Sequence, residues 1–263
     1  MAVLSWFTLL ILLPLIGILR ETIGSGFHAL VSSLLSPQSL HAFWLTLLIT
    51  VIAVMFNTVL GTILAIVLAT QRFKGKLILE SVIDLPFAVS PVVAGFMFII
   101  LFGPNGWLGS WFSAVRIKVI YALPGMIIAT LFVTLPFVAR EILPVMKEFG
   151  HEQEEAATIL GATRCQVFWR ITLPTIKWGL AYGITLTIAR AIGEFGAVLV
   201  VSGSIINKTQ TATLYIHDQF VDLNFTGAFS AALILAMISF VILNIFQHAC
   251  KKQERNQNVR NLC

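Results

Sequence analysis

Charged side chains are scarce in this sequence. Asp, Glu, Lys and Arg make up 11% of its 263 residues, and hydrophobic residues make up 58%. A soluble domain carries about 25% charged residues. This chain cannot cover its surface with charge, so lipid must be its main solvent. Cysteine is scarce too: Cys165, Cys250 and Cys263 form an odd, scattered set, with neither a disulfide framework nor a metal-binding spacing. The histidines (His28, His41, His151, His217 and His248) are dispersed. No paired carboxylates, metal cluster or nucleophile triad falls on a common face, which leaves an integral membrane enzyme without support. The phosphate-cradling pattern Gly-x-x-x-x-Gly-Lys-Ser/Thr is missing, since Gly75-Lys76 is followed by Leu77. Any ATP-driven step would fall to another chain. The apolar start has no Lys or Arg before it and no clear small-residue cleavage site after it, so a retained first membrane helix is expected rather than a secretory signal.

What the chain has is long apolar runs. A spanning helix needs about 20 predominantly apolar residues. Six spans are expected, at about 3–19, 43–69, 77–102, 120–139, 177–201 and 227–247. Basic residues mark cytoplasmic segments. Arg72, Lys74 and Lys76 fall in the 70–76 loop. Arg140, Lys147, Arg164, Arg170 and Lys177 border or lie in the 140–177 loop, and Lys251, Lys252, Arg255 and Arg260 lie in the tail. Only Arg20, Arg116, Lys118 and Lys208 are left for the other side. Both termini are therefore expected inside. The net charge of +5 follows from this topology and gives no reason to invoke nucleic acid. Residues 21–41 and 103–119 mix Gly, Ser and Pro with aromatics such as Trp107 and Trp111, which suits either short interfacial elements or an aromatic belt.

One polar insert interrupts the apolar pattern. Residues 147–174 read as helix, turn, helix. Glu152, Glu154, Glu155, Ala156 and Ala157 suit the first half of a helix. Gly161 follows where a reversal needs a residue without Cβ. A second segment, Gln166 to Thr172, runs to Pro174, which is expected to stop it and reset the direction before the next span. Ile159, Leu160, Val167 and Phe168 form apolar faces that need a cover. The hairpin either packs only on its own domain or is offered to another protein.

Glu155-Ala156-Ala157, Gly161 and Ile171-x-Leu173-Pro174 match position for position the EAA motif of ABC importer permeases. Here the sequence resembles that family. The resemblance implies an all-α integral membrane protein of about six transmembrane helices, forming one permease domain over 1–263. The hairpin would be its coupling helix, inserted into a groove of a separate ATPase. Glu155 would meet a basic or donor group there, Ala156 and Ala157 would permit close packing, and Gly161 would make the turn.

Ionisable residues deep in a span are functional candidates. The fifth expected span holds Arg190 and Glu194, four apart on one helix face and able to pair, with Thr187 on the same face. The pair is either a neutral structural clasp between helices or a pathway site, in which Arg190 eases an anion through and Glu194 orients it. Asp84 lies in the third expected span, where Pro86 and Pro91 are expected to break the helix, beside a pathway or merely as a packing kink. Asn57, Thr58 and Thr62 suit interhelical hydrogen bonding.

Three further stretches, 84–103, 122–141 and 189–203, are similar to the CysW-type permeases of sulfate/thiosulfate ABC importers, and the resemblance covers about residues 40–250. It implies a bacterial-type inner membrane protein without catalysis or cofactor of its own. Its expected partners are a second permease of CysT type, two ATPase subunits carrying ATP and magnesium, an external sulfate-binding protein and membrane lipid. A molybdate or tungstate permease and a passive anion channel are the alternatives.

Overall fold

A computed structural model describes residues 27–150 and 152–260, together with scattered positions from 6 to 20, which are helical. The described elements are all helical. They run α1 (Phe27–Leu34), α2 (Pro37–Thr70), α3 (Lys76–Ala88), α4 (Pro91–Phe102), α5 (Gly109–Ala114), α6 (Leu123–Phe149), α7 (Glu152–Ile159) and α8 (Arg164–Val167). A single π-helical turn (Phe168–Thr172) then leads into α9 (Leu173–Ile192), α10 (Gly196–Ser202), α11 (Ala212–Val221) and α12 (Phe225–Arg260).

Among the described residues three helices are long and apolar enough to cross a membrane: α2, α6 and the Phe225–Phe246 part of α12. Two bent pairs qualify only when joined. They are α3 with α4, bent by 113°, and the Arg164–Ile192 helix with α10, bent by 52°. The range is three to five spans, against six expected. About half of the positions of the expected span at 3–19 lie outside the described residues, and those that are described are helical.

The bends have local causes. Residues before a proline avoid helical angles, and Ser90, before Pro91, is extended at φ −58°, ψ 135°. Pro91 then starts a fresh helix, where its missing N–H is harmless. Pro86, expected to break the chain as well, sits inside α3. The fifth expected span, 177–201, is not continuous either: Gly193 ends α9 and a short turn precedes α10.

Helix α6 is the hub. In lipid, helices associate by close packing around small residues rather than by the hydrophobic effect. A Cβ at Gly61 of α2 would lie 2.7 Å from Val138 Cβ on α6, and a Cβ at Gly183 of α9 would lie 2.8 Å from Val138 Cα. One turn along, fully buried Asn57 donates from Nδ2 to Thr134 Oγ1 at 2.7 Å and to Leu131 O at 3.1 Å. This fixes the register of α2 on α6. Below them, Ala65, Val138, Ile142, Met146 and Ile176 form a common core.

The two bends also meet. A Cβ at Gly196 would lie 3.1 Å from Pro91 Cβ, and one at Gly95 would lie 2.8 Å from Val200 Cβ, so α4 and α10 pack backbone to backbone.

Gly183→Val is expected to destabilise by about 1–3 kcal/mol, the usual cost of overpacking. Gly193→Ala should be near neutral, because its new Cβ meets nothing closer than Ala189 O at 3.7 Å. Thermal unfolding of the purified protein in detergent checks the contrast.

Candidate coupling hairpin and membrane ion pair

The polar insert folds as a hairpin. Its first arm, α7, carries Glu152, Glu154 and Glu155 in its first turn, where the helix dipole favours acid. The arm ends in a Schellman turn. Ala162 N–H donates to Ala157 O, and Gly161 N–H to Thr158 O, both at 3.0 Å. Gly161 supplies the left-handed angle, φ +87°, and no atom lies within 4 Å of its absent Cβ. The glycine is thus required by backbone angle rather than by space. The second arm starts with a capping box: Thr163 accepts from Gln166 N–H, and Gln166 Oε1 accepts from Thr163 N–H at 2.8 Å. That Thr-x-x-Gln pattern is legible in the sequence.

Pro174 does not stop the second arm. At Phe168–Thr172 the ladder widens to a π turn, and Leu173 N–H reaches back five residues to Phe168 O. The slip lets Pro174 enter the first turn of α9 without a missing hydrogen bond, so the arm runs unbroken into the membrane helix. Leu173 packs on the core shared by α2, α6 and α9. Ile171 lines a small cavity with Met146, Phe149 and Thr172 at the base of the hairpin. Ala156 is exposed and Ala157 half-buried.

The residue that ties the arms together is Glu154, which sequence reasoning passed over. Its Oε1 accepts from the buried Thr172 hydroxyl. Glu155 is exposed and, with Glu154, Thr158 and Arg164, lines a groove of about 750 Å³ beside the end of α2. At the apex, Ile159 and Leu160 are 85% and 87% exposed. Val167 and Phe168 are half-buried, so only part of the expected apolar face lacks a cover.

The Arg190–Glu194 pair forms, but not on one continuous helix. Arg190 is in the last turn of α9 and Glu194 lies in the turn beyond it. A terminal nitrogen of Arg190 is 2.6 Å from Glu194 Oε2. Glu194 Oε1 accepts from Ala197 N–H at 2.9 Å, capping α10, and its carbonyl accepts from Thr213 Oγ1 at 2.8 Å. The Glu194 side chain is 1% exposed and that of Arg190 32%. Thr187 is fully buried and donates to Gly183 O within its own helix, so the structure does not bring it into the pair. Asp84 lies elsewhere, paired with Arg140 of α6. A polar network missed in the sequence joins Gln38, Ser204, Gln210 and Asp218 around the start of α11. Among the described residues no three His, Cys, Asp or Glu come together as a metal site.

Residues 57–255 match the family described as binding-protein-dependent transport system inner membrane component. The chain belongs to this family. It is 49% identical over 240 residues to the sulfate transport system permease protein CysW of Synechocystis sp., covering 91% of this chain and 87% of that protein. To the sulfate transport system permease protein CysT of Escherichia coli it is 36% identical, covering 89% and 85%. Among solved structures it resembles a bacterial ABC transporter involved in import of the acidic polysaccharide alginate. There the TM-score is 0.81 at 20% identity, over 96% of this chain and 93% of that one, which speaks for the fold alone. As an inner membrane component of a transport system, the chain is a membrane subunit and not an enzyme.

Removing one partner of a buried ion pair costs about 3–5 kcal/mol, because the other charge is stranded. Arg190→Ala, which strands buried Glu194, should therefore lower the melting temperature more than Glu194→Gln, which keeps the side chain and strands a half-exposed cation. The double substitution should recover part of the loss, and thermal melts of all three variants check the order.

Proposed function

We propose that this chain is the permease subunit of an ATP-driven sulfate/thiosulfate importer, contributing half of the translocation pathway. The observation that carries the coupling role is the hairpin apex. Two large apolar side chains, Ile159 and Leu160, stand almost fully exposed on a tightly capped turn. Both arms are rooted in membrane helices, α6 through Gly150 and α9 through the π turn. A hairpin serving only its own domain would bury its apex. The sulfate assignment rests on the relatives being sulfate transport permeases, and the CysW-type assignment on greater identity to the CysW than to the CysT protein.

In this reading the hairpin faces the cytoplasm, both termini are cytoplasmic, and the membrane is of the bacterial inner type. A CysT-type permease completes the pathway. Two ATPase subunits hold ATP and magnesium, and an external sulfate-binding protein delivers the anion. Glu155, Ala156, Ala157 and Gly161 form the face that meets the ATPase, while Ile171, Leu173 and Pro174 join it to the bundle. ATP binding draws the hairpins together and opens the pathway outward; hydrolysis returns it inward. Selectivity lies mainly in the binding protein, so the permease needs few charges.

The Arg190–Glu194 pair acts as a clasp across the α9–α10 break. Both Glu194 oxygens are engaged, and pairing removes most of the positive field an anion would feel. A transporter must also release its cargo, which an unpaired cation beside the pathway would hold.

A strain lacking this chain should lose uptake of radiolabelled sulfate and thiosulfate and keep molybdate uptake. Loss of molybdate uptake with sulfate uptake intact would move the reading to a molybdate permease. Gly161→Val, strained by its positive φ alone, should abolish sulfate uptake while the protein still accumulates in the membrane. Full uptake by that variant would favour a passive channel.

A further inference from the structure

A second set of charges lies apart from the hairpin apex and the Arg190–Glu194 pair. On α3, Glu80 and Asp84 are four apart; on α6, Arg140 and Lys147 are seven apart. Each couple therefore shares one helix face. Arg140 grips Asp84 with two nitrogens, Nε donating to Oδ1 at 2.6 Å and a terminal nitrogen donating to Oδ2. Lys147 Nζ lies 3.9 Å from Glu80 Oε1. The four side chains rim a cavity of about 110 Å³ lined by Leu68, Ile83, Ala139 and Leu143. Toward the end of α3, Phe87 meets Phe137 edge to face at 5.3 Å. The seam stops just short of the 113° bend.

Charges on a membrane helix must be paired or wet. Here all four are paired and none is fully buried, since the two cations are each 55% exposed and Asp84 and Glu80 are 30% and 29% exposed. Pairs this exposed add little to stability. They are, however, directional and cheap to part and remake. Their position gives them a use. Helix α6 ends at Gly150, two residues before the first hairpin arm begins, and α3 leads into the bend at 89–90. Beyond the bend, α4 is held by α10 rather than by α3.

We propose that Glu80, Asp84, Arg140 and Lys147 are positioning residues, a latch that makes α3 follow α6 and so carries hairpin displacement to the bend between α3 and α4. This rests on the coupling role proposed for the hairpin. A purely structural pair would act through stability; a latch acts through the yield of transport per ATP.

The test uses the full complex, with the ATPase, second permease and binding protein, in proteoliposomes. Asp84→Asn, Arg140→Gln and the exchange Asp84→Arg with Arg140→Asp are compared for sulfate moved per ATP hydrolysed and for melting temperature. Each single change should lower the transport yield about fivefold or more, a typical coupling effect. Melting should stay within about 4 °C of the unaltered complex, as expected for an exposed pair. The exchange should restore the yield. Unchanged yields in the single variants would overturn the latch, as would a yield loss that tracks loss of melting temperature, or an exchange that melts normally but stays uncoupled. Sulfate movement without ATP hydrolysis in the unaltered complex would overturn the coupling role itself, and the latch with it.

Discussion

The architecture depends on how closely α2 and α9 approach α6 around Val138. Lipid supplies no hydrophobic force to push helices together, so contact has to come from backbone proximity and from hydrogen bonds between helices. Gly61 and Gly183 provide the first, and Asn57, reaching Thr134 and Leu131, provides the second. With these in place, the two helices that carry the hairpin arms, α6 and α9, are held as one body. In the proposed coupling role, a displacement at the hairpin would move both rather than bend either.

In that role, the rest of the fold would distribute the motion. The Schellman turn and the capping box stiffen the apex, and the Glu154–Thr172 bond ties the arms together. The π turn passes the second arm into α9 without a swivel at Pro174. The two broken spans meet across Gly95 and Gly196, where the absence of a side chain lets α4 and α10 pack closely. Glu194 caps α10 while paired to Arg190, and so bridges one of the two breaks.

Local chemistry was legible in the sequence where it depends on neighbours along the chain. Gly161 announced a left-handed turn, the acidic run announced a helix start, and the four-residue spacing of Arg190 and Glu194 announced their pairing. The reading went astray where one local rule was outvoted. Pro174 looked like a terminator because nothing in the sequence signals a π turn. Pro86 looked like a breaker, yet a proline can stay inside a helix whose neighbours cover the freed carbonyl. Residues far apart in sequence were out of reach: no periodicity links Asp84 to Arg140, 56 residues away. Motif position singles out Glu155, whereas the bond from Thr172 to Glu154 depends on which face turns inward.

The central claim is that the hairpin apex is the surface through which an ATPase drives this chain. Cross-linking at Leu160 tests it most directly. With Cys165, Cys250 and Cys263 replaced by serine, Leu160→Cys should cross-link to the ATPase in native membranes, with a yield that changes on adding ATP. Labelling of that cysteine by a membrane-impermeant thiol reagent from outside intact cells, with no cross-link to the ATPase, would contradict the account.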